Sequence, residues 1–462
     1  MGFVLCVLYF VTSYLTPPVL FGPLAAYRVE LILAALIFLI SLPRLAKSFI
    51  LKTPQSLAVF GLAFAGSLSV FSEMHYITGA IQTFPAFLPC AFAYFLMCLY
   101  CNSIKTMKII ILTLLFVCLF VIAHGCIDLL KGVPLSATPD SFNTNLWDLQ
   151  HPYLWVSLNV TGEFLYRLRG LGLINDPNDF GQLLVCVIPL LFIFWRPKKT
   201  LKNIAFVALP VGALLIGIYL THSRGALLAL IAIMIVASRK RIGTLPALLI
   251  AAVVFVAAMS LNFTGGRDIS ASAGADRTIL WGDGLQMLKA HPLFGVGLGS
   301  FIDYCDCGHT AHNSLVVCAA ELGLFGLFFW CMFLFSTMKD ALAIASPEKV
   351  SEADPAIPEE AIVSRGISRI EAVDKAEINR IGRLLVLSFT GFLVAGWFLS
   401  RAYVMTFFLL GGMVEVVYEM ALRRGMIAPR LRMGRMLPYV GGLEVSLVLL
   451  MYVMLRTMNL MR

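Results

Sequence analysis

Charge is what this chain has least of. Of its 462 residues only 13% are Asp, Glu, Lys or Arg, against about a quarter in a soluble domain of ordinary composition. Acids are scarcer than bases, 26 against 35, which leaves a formal net charge of +9. An excess of that size points to nucleic acid only where it gathers into a patch. Here Lys and Arg sit in short loops between apolar runs, so no nucleic-acid partner is expected. A disulfide framework is also missing, because the 11 cysteines fall mostly inside apolar runs, where Cys behaves as a small buried hydrophobe. Internal repeats and low-complexity tracts are absent. The first apolar run lacks a basic leader and is followed by Pro17-Pro18 rather than a small-residue cleavage site, so it is expected to be retained.

What the chain has in abundance is apolar length: 60% of its residues are hydrophobic. Runs of roughly 18 to 22 residues recur from end to end, each long enough to cross a hydrocarbon core about 30 Å thick. The expected fold class is therefore all-α, a polytopic integral membrane protein with about 12–13 transmembrane helices. The spans are read at 2–20, 25–41, 56–73, 84–101, 109–126, 182–195, 203–221, 224–238, 244–261, 314–337, 384–400, 402–420 and 437–456. Basic residues follow every second span: Arg44, Lys47 and Lys52; Lys105 and Lys108; "RPKKTLK" from Arg196; "SRKR" from Ser238; the segment 338–383; and "RRGMIAPRLRMGR" from Arg423. One orientation places all of these in the cytoplasm, with the N-terminus inside and the C-terminus outside.

The chain divides into N-terminal helices 1–126, a first outer loop 127–181, central helices 182–261, a second outer loop 262–313 and C-terminal helices 314–462. The last region holds a mixed-charge connector, 338–383, expected to be partly helical and disordered near Ser346 to Pro358. Loops longer than about 15 residues are usually functional or disordered. The two outer loops carry Trp147, Trp155, Tyr166, Trp281, Phe294 and Phe301, and are expected to fold against the membrane surface. In the second, Asp276 is the expected cap of an interfacial helix that ends at His291-Pro292. The "GVGLG" that follows has no preceding strand and is no dinucleotide fingerprint; it lets the backbone turn or approach a ligand.

Arginine stands on the side where it is normally avoided. The stretch Asn203 to Ser238 is apolar except for "THSRG". Its about 36 residues would make a helix of roughly 54 Å, so it forms two spans with a tight turn and Arg224 at the boundary. The same arithmetic puts Arg401 in the turn of 384–420. A lone arginine of this kind can snorkel to headgroup phosphates. Six together, Arg167, Arg169, Arg224, Arg267, Arg277 and Arg401, form an anion site, because the guanidinium fork matches phosphate oxygens.

The remaining signal is "CDCGHTAHNSLVV", which sets His312-Asn313 at the mouth of an apolar helix. Cys305, Cys307, His309 and His312 are too closely spaced for a usual zinc site, so no metal and no cofactor are expected. Alone, His312-Asn313 reads as a helix end with a capping side chain. Beside phosphate-seeking arginines, a histidine that titrates near neutrality can take a proton from an attacking hydroxyl. Glu321 lies on the opposite helix face and is expected to bond to a neighbouring helix, with Gly323 and Gly326 permitting close approach.

"RGLGLINDPNDFG", "THSRGALLAL", "DRTILWGDGLQMLKAHPLFGVGLGSF" and "AHNSLVVCAAELGLFGL", in that order over about 160–330, resemble the O-antigen ligase/polymerase superfamily of bacterial envelope proteins. The resemblance implies a C-type glycosyltransferase-like helical fold in the bacterial inner membrane, with its active face periplasmic. It implies inverting, metal-independent transfer of a glycan from an undecaprenyl-diphosphate carrier to an acceptor hydroxyl on a lipid core, another glycan or a protein. Carried onto this chain, it assigns the diphosphate to Arg224, Arg277 and Arg169, and acceptor activation to His312. Arg401, Arg267, Asn313 and Asp176 are further candidates for the site. The chain departs from the commoner outline in its span count and its "CDCGH" insertion. Ligase, polymerase and protein O-glycosylation all remain open, as does a scaffold role. A solute transporter is the alternative of another class, but transporters place their sites near the midplane, whereas these polar residues gather at one face.

The orientation has a direct test. Reporter fusions at residues 150 and 305 should read as extracytoplasmic and a fusion at 360 as cytoplasmic. A cytoplasmic signal at 305 overturns the assignment of His312 to the outer face.

Overall fold

A computed structural model describes residues 2–27, 29–47, 52–131, 151–266, 271–305, 308–346 and 369–460. Arg267, Cys307 and the connector at 347–368 lie outside them. The architecture is a helical bundle: α1 (Gly2–Leu15), α2 (Val29–Lys47), α3 (Pro54–Met74), α4 (Ile77–Tyr100), α5 (Ile104–Lys131), α6 (Pro177–Leu191), α7 (Leu209–Thr221), α8 (Arg224–Ile242), α9 (Thr244–Ser260), α10 (Ala271–Ala290), α11 (Ser314–Ala345), α12 (Arg369–Gly396), α13 (Met405–Arg423) and α14 (Met433–Leu460). Ten segments among the described residues are long and apolar enough to span a membrane. They lie on α2 to α7 and α11 to α14, and α1 and α9 are shorter apolar helices. The chain is an all-α, multi-pass membrane protein. Several helices outrun the expected apolar spans. α5 continues to Lys131 and α11 to Ala345, because good helix formers carry the backbone past the end of the apolar stretch.

The centre of the bundle is aromatic. Phe407 of α13 lies 4.8 Å from Phe333 of α11 and 5.2 Å from Phe392 of α12, centroid to centroid, and all three are fully buried. α2, α9 and α14 leave large apolar side chains such as Leu39, Val253 and Leu449 exposed on their outer faces, as lipid-facing helices do.

Among the described residues one small sheet stands in the first loop: β1 (Leu154–Leu158) pairs antiparallel with β2 (Phe164–Leu168), Leu154 opposite Leu168 and Trp155 opposite Arg167. Leu154 and Leu168 are buried, which seats the hairpin on the helices.

α10 begins at Ala271, so Asp276 lies within it rather than at its start. The helix ends before His291, whose Nδ1 is 2.9 Å from Glu73 Oε2 on α3. Tyr304 Oη donates to the same carboxylate at 2.6 Å, a bond that pushes the phenol up to about 12.

α11 is not a continuous rod. Gly323 has φ 62° and ψ −168°, a conformation open essentially to glycine alone. The segment Pro292–Gly297 lies in the break. Val296 N–H donates to Ala320 O at 3.0 Å and Gly297 N–H to Glu321 O at 3.1 Å. In return Leu324 N–H donates to Pro292 O at 2.9 Å and Phe325 N–H to Leu293 O at 3.0 Å. The Glu321 carboxylate accepts from the backbone N–H groups of Gly299 and Phe301 of the glycine-rich loop, while its backbone carbonyl also accepts from the Ser69 hydroxyl of the neighbouring α3. The glycines of "GVGLG" thus permit a backbone-to-backbone approach: a Cβ at Gly295 would stand 2.3 Å from the Glu321 carbonyl carbon.

Gly323→Ala should therefore be costly. Its Cβ would meet the Leu293 carbonyl at 2.5 Å, and the backbone strain alone is worth roughly 1–3 kcal/mol. Gly282→Ala, mid-helix in α10 with nothing within 4 Å, should be neutral or stabilising. Thermal unfolding of the two purified variants in detergent checks this, and equal midpoints would contradict the account of the break.

Candidate functional site

The "THSRG" stretch forms a two-residue corner, His222-Ser223, between α7 and α8. His222 turns the chain with φ 47°. The Ser223 hydroxyl then caps α8 by accepting from Ala226 N–H at 3.4 Å, which leaves Arg224 at the first helical position, half-buried. The corner is held from two sides. His222 Nδ1 lies 2.8 Å from Phe263 O. From the hairpin, Arg167 donates through Nε to Thr221 O at 2.9 Å and through Nη2 to Asn178 Oδ1 at 3.0 Å. Arg167 is itself buried, so it ties together the hairpin, the corner and the "NDPND" turn.

α10 brings a second guanidinium to the same place. Arg277 is half-buried, and burial together with the Arg224 charge beside it pushes its pKa below the ordinary arginine value. Among the described residues Arg277 forms no ion pair, and its guanidinium carbon stands 5.9 Å over the Phe398 ring. Phe398 also packs on α8: a Cβ at Gly225 would lie 3.2 Å from Phe398 Cβ. Phe398 therefore touches both arginine-bearing segments. Two like charges held near each other in a partly desolvated place repel, and each disfavours the charged form of the other.

His312-Asn313 forms the next corner. Asn313 Oδ1 accepts from Leu315 N–H at 2.9 Å and from Val316 N–H at 3.2 Å, capping α11. Asn313 is buried, and its Nδ2 has no hydrogen-bond partner among the described residues. His312 is exposed and takes φ 49°, a left-handed conformation that costs a residue with a Cβ roughly 1–2 kcal/mol. Its N–H donates to Ser400 Oγ at 2.7 Å. The Ser314 hydroxyl donates to Leu399 O at 2.8 Å. The turn between α12 and α13 thus touches the arginine pair through Phe398 and the histidine corner through Leu399 and Ser400.

The remaining candidates fall in different places. Arg401, at the end of that turn, sets Nε 2.7 Å from Asp179 Oδ2. Asp176 caps α6, accepting from Asn178 N–H at 2.7 Å with Pro177 behind it; Asp179 lies in the first turn of that helix. Arg169 is buried under the hairpin, donates through Nε to Pro152 O at 3.1 Å and stands 5.6 Å over Trp155. These contacts tie it to the loop, and none of them reaches Arg224 or Arg277. Arg267 lies outside the described residues. His309 is exposed.

Sequence reasoning passed over Ser400, Phe398, Trp397 and the role of Trp281. Trp281 sits one turn beyond Arg277 on α10, donates through Nε1 to Ala311 O at 2.8 Å and packs edge-on against Trp397 at 6.1 Å. The available signal was the aromatic pair Trp397-Phe398 in a short turn beside Arg401.

Residues 209–331 match the family model described as O-antigen ligase. That stretch runs from α7 into α11 and contains Arg224, Arg277, His312 and Asn313, so the resemblance read from the sequence is borne out there. A search of curated proteins found no match to the chain.

The Arg401–Asp179 pair is open to test. Asp179 is buried and Arg401 is 46% exposed. Arg401→Ala should destabilise the protein by roughly 1–3 kcal/mol by leaving the carboxylate without its cation. Adding Asp179→Asn should recover part of that loss in thermal unfolding. Additive losses in the double variant would show that the pair is not coupled.

Proposed function

From a chain whose residues 209–331 carry the O-antigen ligase match, we propose a membrane glycosyltransferase that moves a glycan from an undecaprenyl-diphosphate carrier to an acceptor hydroxyl at the periplasmic face of the inner membrane, within a C-type glycosyltransferase-like bundle. The observation that carries this reading is the arginine pair. Arg224 and Arg277 stand close enough for one charge to depress the other, and the turn whose Phe398 packs on Arg277 and on Gly225 of α8 also holds His312. A diphosphate is the anion that such a pair fits, since two planar forks can take both phosphates in bidentate fashion.

The chemistry follows from these positions. The acceptor hydroxyl oxygen attacks the anomeric carbon as His312 takes its proton. The bond from that carbon to the diphosphate oxygen breaks on the opposite face, which inverts the configuration. The diphosphate leaves carrying the bonding electron pair, and the two guanidiniums stabilise the charge that develops on it. Histidine suits the first task because it titrates near neutral pH. The buried amide of Asn313, with Nδ2 still unpartnered among the described residues, offers one more donor at the mouth of α11.

The roles separate in a transfer assay with purified lipid-linked glycan, run beside a donor-binding measurement. His312→Ala should bind donor like the parent and lose roughly 10²–10⁴ in turnover. Arg224→Lys and Arg277→Lys keep the charge but lose the fork, so each should weaken use of the donor while the protein still folds. Parental turnover by His312→Ala overturns the base assignment. In a deletion strain, loss of glycan attachment with normal chain length identifies a ligase, and accumulation of single repeat units identifies a polymerase.

A further inference from the structure

We propose that Ser400 and Trp281 are positioning residues that hold His312 in the backbone conformation from which its ring works; this rests on the reading of His312 as the base. His312 has φ 49°. A residue other than glycine keeps such a conformation only where its surroundings over-determine it. Here they do so at a single peptide unit. Both polar atoms of the Ala311–His312 peptide are bound by side chains from separate elements. Trp281 on α10 donates to the Ala311 carbonyl at 2.8 Å, and the His312 N–H donates to Ser400 Oγ, in the α12–α13 turn, at 2.7 Å.

Each partner is fixed in turn. Ser400 Oγ is 2.5 Å from Thr310 Oγ1, and the Trp281 ring packs against Trp397 at 6.1 Å. Ala311 and Asn313 on either side are buried, while His312 between them is exposed. The flanking residues are anchored and the histidine between them is left accessible. A helix end that only needed a cap has one in Asn313. Two further hydrogen bonds to the preceding peptide add nothing to that cap, but they stop the peptide from rotating His312 to negative φ and swinging its ring away.

The partners also set register between the two halves of the site. Trp281 lies one helical turn from Arg277, and Ser400 lies two residues from Phe398, which packs on Arg277. The elements that place the diphosphate-facing guanidinium therefore also place the histidine. A misplacement of about 1 Å can cost 10²-fold in rate, so the expected effects are large.

The test uses the full-length chain in detergent, with an undecaprenyl-diphosphate-linked glycan as donor, and a lipid-core acceptor and a second donor molecule as parallel acceptors. The variants are Ser400→Ala, Ser400→Thr, Trp281→Phe, His312→Ala and the Ser400→Ala/His312→Ala double. Ser400→Ala and Trp281→Phe should each lower kcat by about tenfold or more, with donor KM within about twofold of the parent. Ser400→Thr keeps the hydroxyl and should restore most of the rate. In the His312→Ala background Ser400→Ala should add no further loss, because residues acting through one group are not additive. Trp281→Phe removes the N–H donor while keeping a smaller aromatic ring at the position, so it decides the matter if Ser400→Ala does not fold. Parental kcat in Ser400→Ala and Trp281→Phe, or a further loss in the double variant, overturns the positioning role while leaving an inactive His312→Ala intact. Parental turnover in His312→Ala removes the base and the positioning role together.

Discussion

The turn from Trp397 to Ala402 joins two central helices, and almost everything at the loop end of the bundle is hung on it. Trp397 packs on Trp281, Phe398 packs on both Gly225 and Arg277, Leu399 and Ser400 take hydrogen bonds from Ser314 and His312, Arg401 meets Asp179, and the Ala402 carbonyl accepts from Trp330 at 3.2 Å. A turn this short can do so because it is stiff. α12 and α13 on either side are packed into the aromatic core, so the residues between them have little freedom left. The corners of α7–α8 and α10, and the start of α11, are each short segments that would not hold a geometry alone. Docked on one rigid turn, they share a frame.

The second constraint is the break in α11. Non-helical backbone among membrane helices leaves N–H and C=O groups that lipid cannot satisfy. Here the glycine-rich loop satisfies them with four exchanged hydrogen bonds, and Glu321 takes two more from the same loop. The interruption is thus a socket that fixes the end of α10 to the bundle. With the His291–Glu73–Tyr304 contacts beside it, it anchors the helix whose other end carries Arg277.

The opposite end of the bundle is closed by a different device. Arg430, in the segment before α14, reaches Asp340 of α11 at 2.9 Å and Glu415 of α13 at 2.6 Å, and stacks over Tyr418 at 4.0 Å. Gln55 of α3 donates to the same Asp340 carboxylate at 2.7 Å. Burial alone would lower the arginine's pKa, but Glu415 and Asp340 more than offset it and raise it. One cation therefore joins α11 and α13, and Asp340 carries the connection on to α3. A buried pair of this kind is costly to break from one side. The site at the loop end is built on helices whose far ends are already locked.

The sequence alone determined the parts that depend on composition and local chemistry. Apolar runs separated by charged loops are enough to specify membrane helices, because the hydrocarbon core admits little else. "THSRG" and "AHNS" were legible as corners because the run lengths force a turn at the first and a polar capping residue stands at the second. The hairpin was missed although Leu-Trp-Val-Ser-Leu and Phe-Leu-Tyr-Arg-Leu flank a turn at Gly162, since short strands without clear alternation give a weak signal in a chain dominated by helices. Asp276 was misread as a cap because α10 begins earlier, at Ala271. What only the tertiary structure decided is which residues meet. Arg169, Arg224 and Arg277 look alike in the sequence, yet Arg169 packs against Trp155 of the hairpin while Arg277 and the helix of Arg224 both pack on Phe398. Ser400 lies 88 residues from the histidine whose N–H it binds. No periodicity or spacing reports a contact across such a separation, because it is set by how helices pack in three dimensions and not by the order in which the chain presents them.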